Sequence, residues 1–396
     1  MRVKDQWQAR PGRKSGKRWW VEAWGPPRSY RRQKGLLVTQ GRGENHSCSS
    51  QSSTAPIGGV RENKDQLENF NIFETSKGDE WFYNKIGLAQ REILSVRTVA
   101  KLRISIVQYL NTAPLVWSFT NGPLQGKYEL SFTVPSQCAE DLRCGRADIA
   151  IIPAIEYQRI PGLAILPDIA IASKNQVRSL LIVAKKPIEQ VQSFALDSSS
   201  RSTQVLTRIL CAEKWRIAPQ FFEALPDLPE MLQQADAALL IGDPALRISI
   251  GIEKDSRPGE PGQTVCQTAT LGIPSSELLY VYDVVGEWCA LTGLPAVLAV
   301  WACRREIATP ELSADFMASR DFGLSRVGEI SYEAAQDLEL PQRALESYLR
   351  QNIDYSLGAE NRRGLELYFH YAAKLGLIPQ AGAMEWAAVK SEAVKL

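Results

Sequence analysis

The sequence predicts an α/β protein of two lobes, and three observations lead there. From Leu102 onward, short apolar runs of strand length alternate with segments of helical length, the pattern of a sheet covered on both faces. Two successive strand-like runs, 162–173 and 177–187, have no helix-length segment between them, as expected where a chain leaves one lobe for another. A later apolar run, 294–304, then carries the chain back. Two passages between lobes make a hinge, and the cleft of a hinged α/β pair is a natural enclosure for a small molecule. The expected limits are 99–186 with 294–396 for lobe one and 187–293 for lobe two, with 1–98 standing apart as an extension.

In chain order, LRISIV (102–107) has the apolar density of a buried strand, and LVWSFTNG after Pro114 supplies a short helix stopped by Gly122. YELSFTV (128–134) is a strand closed by Pro135, and SQCAEDLRCG a helix with Ser136 as cap and Gly145 as stop. ADIAIIPAIEY (147–157) is a strand running into a helix start at Pro153. The second lobe opens on SFALDSSSRSTQVLTRILCAEKW: a strand to Leu196, a polar turn, and a helix from about Ser200 to Trp215. FFEAL is a strand, LPEMLQQA a helix, and ADAALLIGD (235–243) a strand ending in Gly-Asp. GIEKDSRPGEPGQ (251–263) reads as a surface loop, rich in Gly, Pro and charge. After Pro310, QRALESYLRQNI and RRGLELYFHYAAKLGL supply helices that pack back on lobe one.

Charge is unevenly spread in the 396 residues. Residues 1–45 hold 12 Lys/Arg against three Asp/Glu, whereas 101–396 hold 28 against 34. The patterned region is therefore mildly acidic and gives no reason to expect nucleic-acid binding. The basic start has three readings: a nucleic-acid tail with Trp19, Trp20 and Trp24 as stacking groups, a disordered arm, or a stretch translated upstream of the true start. Neither it nor the Ser-rich stretch that follows has the apolar core of a secretory signal, and no run of about 18 apolar residues occurs, so a cytoplasmic protein with no membrane contact is expected. Seven cysteines, at 48, 138, 144, 211, 266, 289 and 303, are widely spaced, odd in number and form no CxxC. That argues against a disulfide scaffold and against zinc; neither a metal nor a cofactor is expected.

Four groups are candidates for a site, each with an ordinary structural alternative. Asn111 stands where the first strand ends, the place where parallel sheets hold ligands; local chemistry by itself favours a turn or cap residue beside Pro114. In DSSSRST (197–203), the hydroxyls of Ser199, Ser200, Ser202 and Thr203 with first-turn N-H groups can hold a carboxylate, Arg201 adding charge; simple capping by one serine explains the same residues. Ser179, in VRSLLIV at the presumed hinge, is a polar group in a strand-like run, where a satisfied strand serine is the favoured ordinary reading. Asp243, in LLIGDPAL, either positions a substrate hydroxyl or caps a helix. Glu156 and Asp168 fall near ends of lobe-one elements, but nothing brings them together as an acid and base pair. There is no P-loop, no GxGxxG after a strand, no HExxH and no GxSxG.

Six pieces in order, ISIVQYLNTAPL, GRADIAIIPAIEY, ILPDIAIAS, DSSSRST, QQADAALLIGDPAL and EWCALTGLPAVLAVWA, resemble chorismate dehydratases of the futalosine route to menaquinone, over about residues 102–380. The resemblance implies the two-lobed fold of periplasmic solute-binding proteins (type II), a cytoplasmic lyase, and removal of water from chorismate to give 3-[(1-carboxyvinyl)oxy]benzoate. It implies that Asn111 lies close to the reacting ring, that Ser179 matches the serine of the strand after IAIAS, and that Ser200, Ser202 and Thr203 match groups lining the substrate pocket. Residues 1–95 have no counterpart in that family. Three other readings stay open: a carboxylate receptor without chemistry, a ligand-sensing partner of a transporter or regulator should catalysis fail, and the sister enzyme that makes 1,4-dihydroxy-6-naphthoate. The last relies on a pocket histidine, and none occurs between His46 and His370, the second of which reads as a surface or packing residue. The partner expected is chorismate alone, with the chain a monomer or a dimer.

Overall fold

The computed structural model describes residues 101–253, 257–258, 263–267 and 278–389. The expected extension 1–98 and most of the expected loop 251–263 lie outside the described residues. Twelve described strands form two sheets. The first runs in the order β2 (Glu129–Thr133), β1 (Arg103–Val107), β3 (Ile149–Pro153), β12 (Ala296–Arg304), β4 (Leu163–Ser173). The second runs β7 (Gln220–Ala224), β6 (Ser193–Asp197), β8 (Ala237–Ile241), β5 (Leu180–Ala184), β11 (Leu278–Asp283), β10 (Gln263–Gln267), β9 (Arg257–Pro258).

The strand, helix, strand repeat predicts parallel sheets, and only part of each is parallel. β1 pairs in parallel with β2 and β3, and β6 with β7 and β8, where a helix crosses over between strands. The returning strand β12 enters the first sheet antiparallel, between β3 and β4, and β5, β11, β10 and β9 are antiparallel in the second. The sequence does not signal this, because a strand buried on both faces reads as one apolar run whatever its direction. β3, β5 and β8 are buried at every residue. Asp168 sits inside β4, not at an end, at φ 60°, between two stretches of β12 pairing whose registers differ.

The chain crosses between the sheets at 174–179 and again after β11. β5 therefore belongs with the second sheet, and the expected lobe-one limit at 186 falls too late. One carboxylate ties the crossings together. Asp283 accepts N-H groups from Val177 and Arg178 of the first crossing at 3.1 and 2.6 Å, and from Val285 and Gly286 of its own helix start at 3.1 and 2.9 Å. Burial pushes its carboxyl up to about 6 despite those donors.

The helices that frame the first sheet are α1 (Ala113–Asn121), α2 (Pro135–Arg143), the one-turn α3 (Ala154–Tyr157), α8 (Pro310–Leu324), α9 (Val327–Leu338), α10 (Gln342–Ser347) and α11 (Ala359–Lys374). The second carries α4 (Arg201–Ile209), α5 (Leu228–Gln234), α6 (Gly242–Ile252) and α7 (Val284–Thr292). Helix α2 opens on Pro135 with Val134 as its cap, so Ser136 lies inside the first turn and is not the expected cap residue. α8 presses on α1 so closely that a Cβ at Gly323 would stand 1.9 Å from the Pro114 carbonyl oxygen. Beside this contact the rings of Trp301 and Phe316 meet edge to face with centroids 4.8 Å apart, and Phe119 adds a second edge contact to Phe316 at 5.1 Å.

Candidate active site

The turn after β1 sets the first candidate. Leu110–Thr112 forms a single 3₁₀ turn, and α1 follows at once, with Pro114 in its first turn where a missing N-H costs nothing. The side chain of Asn111 caps neither element. Its Oδ1 instead accepts the Thr112 hydroxyl at 3.3 Å, and it stays partly exposed at the carboxyl end of the sheet.

Three segments gather at this turn. The Leu110 N-H donates to Asp243 Oδ1 at 3.0 Å, joining the first sheet to the start of α6. The neighbouring Gly242 N-H donates to the Ser179 carbonyl at 2.8 Å. The Tyr348 hydroxyl, from the π-turn Tyr348–Asn352 after α10, donates to Ser179 Oγ at 2.9 Å. Asn111 belongs to the same neighbourhood, where its side chain partly offsets the rise of the Tyr348 phenol. Asn111, Ser179 and Asp243, far apart in sequence, are thus brought together.

The electrostatics follow from enclosure. Burial drives the Asp243 carboxyl up to about 7, a rise that the Leu110 N-H and the positive charge of Arg247 only partly oppose. Asp243 keeps some accessible surface, although its carboxyl group is packed round by neighbours. Burial also raises the Tyr348 phenol above its ordinary range, so it stays protonated at neutral pH.

The second candidate group, at the head of α4, is engaged with the protein itself. Ser200 caps α4, accepting the Thr203 N-H at 3.4 Å and donating its hydroxyl to Thr203 Oγ1 at 2.8 Å. Ser202 Oγ accepts the Ile155 N-H at 3.1 Å, and the Ser199 carbonyl accepts the Ser136 N-H at 3.0 Å, so this turn is fastened to the first sheet's helices. Ser199 Oγ donates to Asp197 Oδ1 at 2.6 Å and lies 3.3 Å from the Tyr109 hydroxyl. Arg201, read from the sequence as adding charge for a substrate or else facing solvent, bridges Glu140 at 2.8 Å and Glu156 at 3.1 Å. Glu156 is fully buried and also pairs with Arg143 and Arg159, which explains how a carboxylate survives there.

Tyr109 links the two groups. Its hydroxyl reaches Ser199, and its ring lies where a Cβ on Gly242 would be, 2.6 Å away; the φ of +67° at Gly242 suits glycine as well. Sequence reasoning missed Tyr348, Asp197 and the arginine cluster around Glu156. Tyr348 lies in QRALESYLRQNI, which reads only as a helix face; Asp197 was legible at most as the strand end before the serines. A groove of about 590 Å³ lies elsewhere, lined by Arg320, Leu349 and Tyr355 among others, and its lining includes none of the expected site residues. His370 is exposed on α11. Among the described residues no cluster of His, Cys, Asp and Glu could hold a metal ion, and no helix is long and apolar enough to cross a membrane.

With this geometry in place, comparison with known proteins gives the lineage. The profile of a family described as menaquinone biosynthesis matches residues 102–374. The chain belongs to that family. It is 28% identical to a chorismate dehydratase of Thermus thermophilus over 276 residues, 69% of this chain and 95% of that enzyme. Among solved structures it is similar to protein AF1704 of Archaeoglobus fulgidus, with a TM-score of 0.53 and 17% identity over 70% of this chain and 98% of that one. A periplasmic aliphatic sulphonate binding protein of Escherichia coli aligns at a TM-score of 0.46 and 14% identity, covering 74% of this chain and 96% of its own. The fold is the two-lobed type II fold of periplasmic binding proteins, as the resemblance implies. The expected cytoplasmic location is corrected by the same comparison: proteins sharing the fold include that periplasmic protein and ABC-transporter components, and the assignment is dropped.

Proposed function

We propose that the chain is a chorismate dehydratase, removing water from chorismate to give 3-[(1-carboxyvinyl)oxy]benzoate in menaquinone biosynthesis. The observation that carries this reading is the meeting of the Asn111 turn, Ser179 and Asp243 from both sheets at one place, in a chain that aligns with almost the whole of a chorismate dehydratase. The division into lobes belongs to the same proposal: one lobe built on the first sheet, the other on the second, parting about the two crossings to admit substrate.

Chorismate carries two carboxylates, a ring diene, a proton on C3 and a hydroxyl on C4. With one carboxylate held by donors at the serine-rich head of α4, negative charge left by the C3 proton spreads through the diene toward the ring carboxylate. The amide of Asn111 has no basicity near neutral pH; it orients the ring and stabilises charge. The enolpyruvyl carboxylate of chorismate takes the C3 proton. Asp243, titrating near neutrality, gives a proton to the departing C4 hydroxyl, which leaves as water, and is recharged by the proton taken from C3. Aromatisation supplies the driving force, so the protein selects one elimination and needs no strong base.

Purified protein incubated with chorismate should yield a product lighter by one water, with the ultraviolet spectrum of a substituted benzoate. Unchanged chorismate, bound or not, would reduce the protein to a receptor or remove the reading altogether.

A further inference from the structure

The phenol of Tyr348 is buried, comes from a segment after the last strand, and bonds to a side chain already implicated. Its surroundings have a direction. The Thr112 hydroxyl donates to Asn111 Oδ1, which leaves the Asn111 amide hydrogens to be given away. The Tyr348 hydroxyl donates to Ser179 Oγ at 2.9 Å. Ser179 is 1% exposed, and its oxygen already accepts one hydrogen bond. A hydroxyl in that position has its own hydrogen left to offer. The segment is held for the purpose: a widened π-turn over Tyr348–Asn352, a geometry often found at functional sites, interrupts the helical path after α10.

We infer that Tyr348 is a positioning residue that fixes Ser179 as a hydrogen-bond donor toward an anionic oxygen of the substrate, so that this side of the site offers donors only. The inference rests on the proposed dehydration. A site of donors favours the charge that grows on the ring carboxylate during loss of the C3 proton and disfavours any role for Ser179 as a base. Tyr348 does not touch substrate; it acts through Ser179, and removal of its hydroxyl frees the serine to turn its hydrogen elsewhere.

The test is a double-mutant cycle with chorismate as substrate, using Y348F, S179A and the combination in the full chain. Because phenylalanine keeps the ring, the expected result for Y348F is a kcat at least about tenfold below wild type with KM changed less than about threefold. S179A is expected to lose as much or more, and the double variant is expected to match S179A, since the tyrosine has nothing to act on once the serine hydroxyl is gone. Multiplying losses in the double variant, or Y348F turning over like wild type, overturn the inference while leaving the dehydratase reading intact. A wild-type protein without turnover overturns both. Should Y348F melt far below wild type, S179A carries the test, because it retains Tyr348: full kcat in S179A overturns the inference.

Discussion

Replacing Asp243 with Asn changes the charge of the site while keeping its geometry, since the amide oxygen of asparagine can still accept the Leu110 N-H. The folded carboxyl titrates at about 7, against an unfolded value of about 4. The native state therefore binds the proton more tightly, and the sign follows: the stability it contributes is complete below about pH 4 and is lost as pH rises toward and through 7. Three units correspond to about 4 kcal/mol, and the partial exposure of Asp243 reduces this to about 2. Denaturant unfolding of both proteins at pH 5, 6, 7 and 8, followed by tryptophan fluorescence, isolates the term. Asp283, whose carboxyl is also raised, is present in both and cancels in the difference. D243N should gain on wild type progressively from pH 5 to 8. A difference that is flat with pH, or that moves against D243N as pH rises, would refute the reasoning.

Other perturbations test the framework. E156Q leaves Arg143, Arg159 and Arg201 around a neutral buried amide and should cost about 3 kcal/mol in urea unfolding. G323A drives a methyl into the Pro114 carbonyl and should lower stability by about 1–3 kcal/mol without any change of charge, read from the thermal midpoint at pH 6 and 8 alike. G242A forces Tyr109 aside at the junction of the sheets; a weaker KM for chorismate is expected, and an unaltered KM would show that the Tyr109 contact plays no part in closure.

The sequence makes the order of strands and helices plain, because each strand is a dense apolar run bounded by Pro, Gly or a polar turn. Strand direction and the true crossing point are not legible: LLIVA has the same apolar pattern in either sheet, and only pairing with β8 and β11 places it in the second. At the site, Asn111, Ser179 and Asp243 stand out as polar groups at strand ends or within apolar runs. The capping serine of DSSSRST was equally legible from local chemistry, and Ser200 fills that place. What the sequence cannot convey is long-range pairing. Arg201 is claimed by Glu140 and Glu156 from other helices, and Tyr348 reaches Ser179 across 169 positions. Neither relation leaves a periodic trace.

The most direct trial of the central claim is a crystal structure of N111A soaked with chorismate, since loss of the amide should spare folding and leave the substrate largely unreacted. The account predicts intact chorismate between the two sheets, its ring beside position 111 and Ser179 and one carboxylate at the head of α4. Chorismate seated outside that space, or a crystal filled with the dehydrated benzoate in spite of the missing amide, would contradict it.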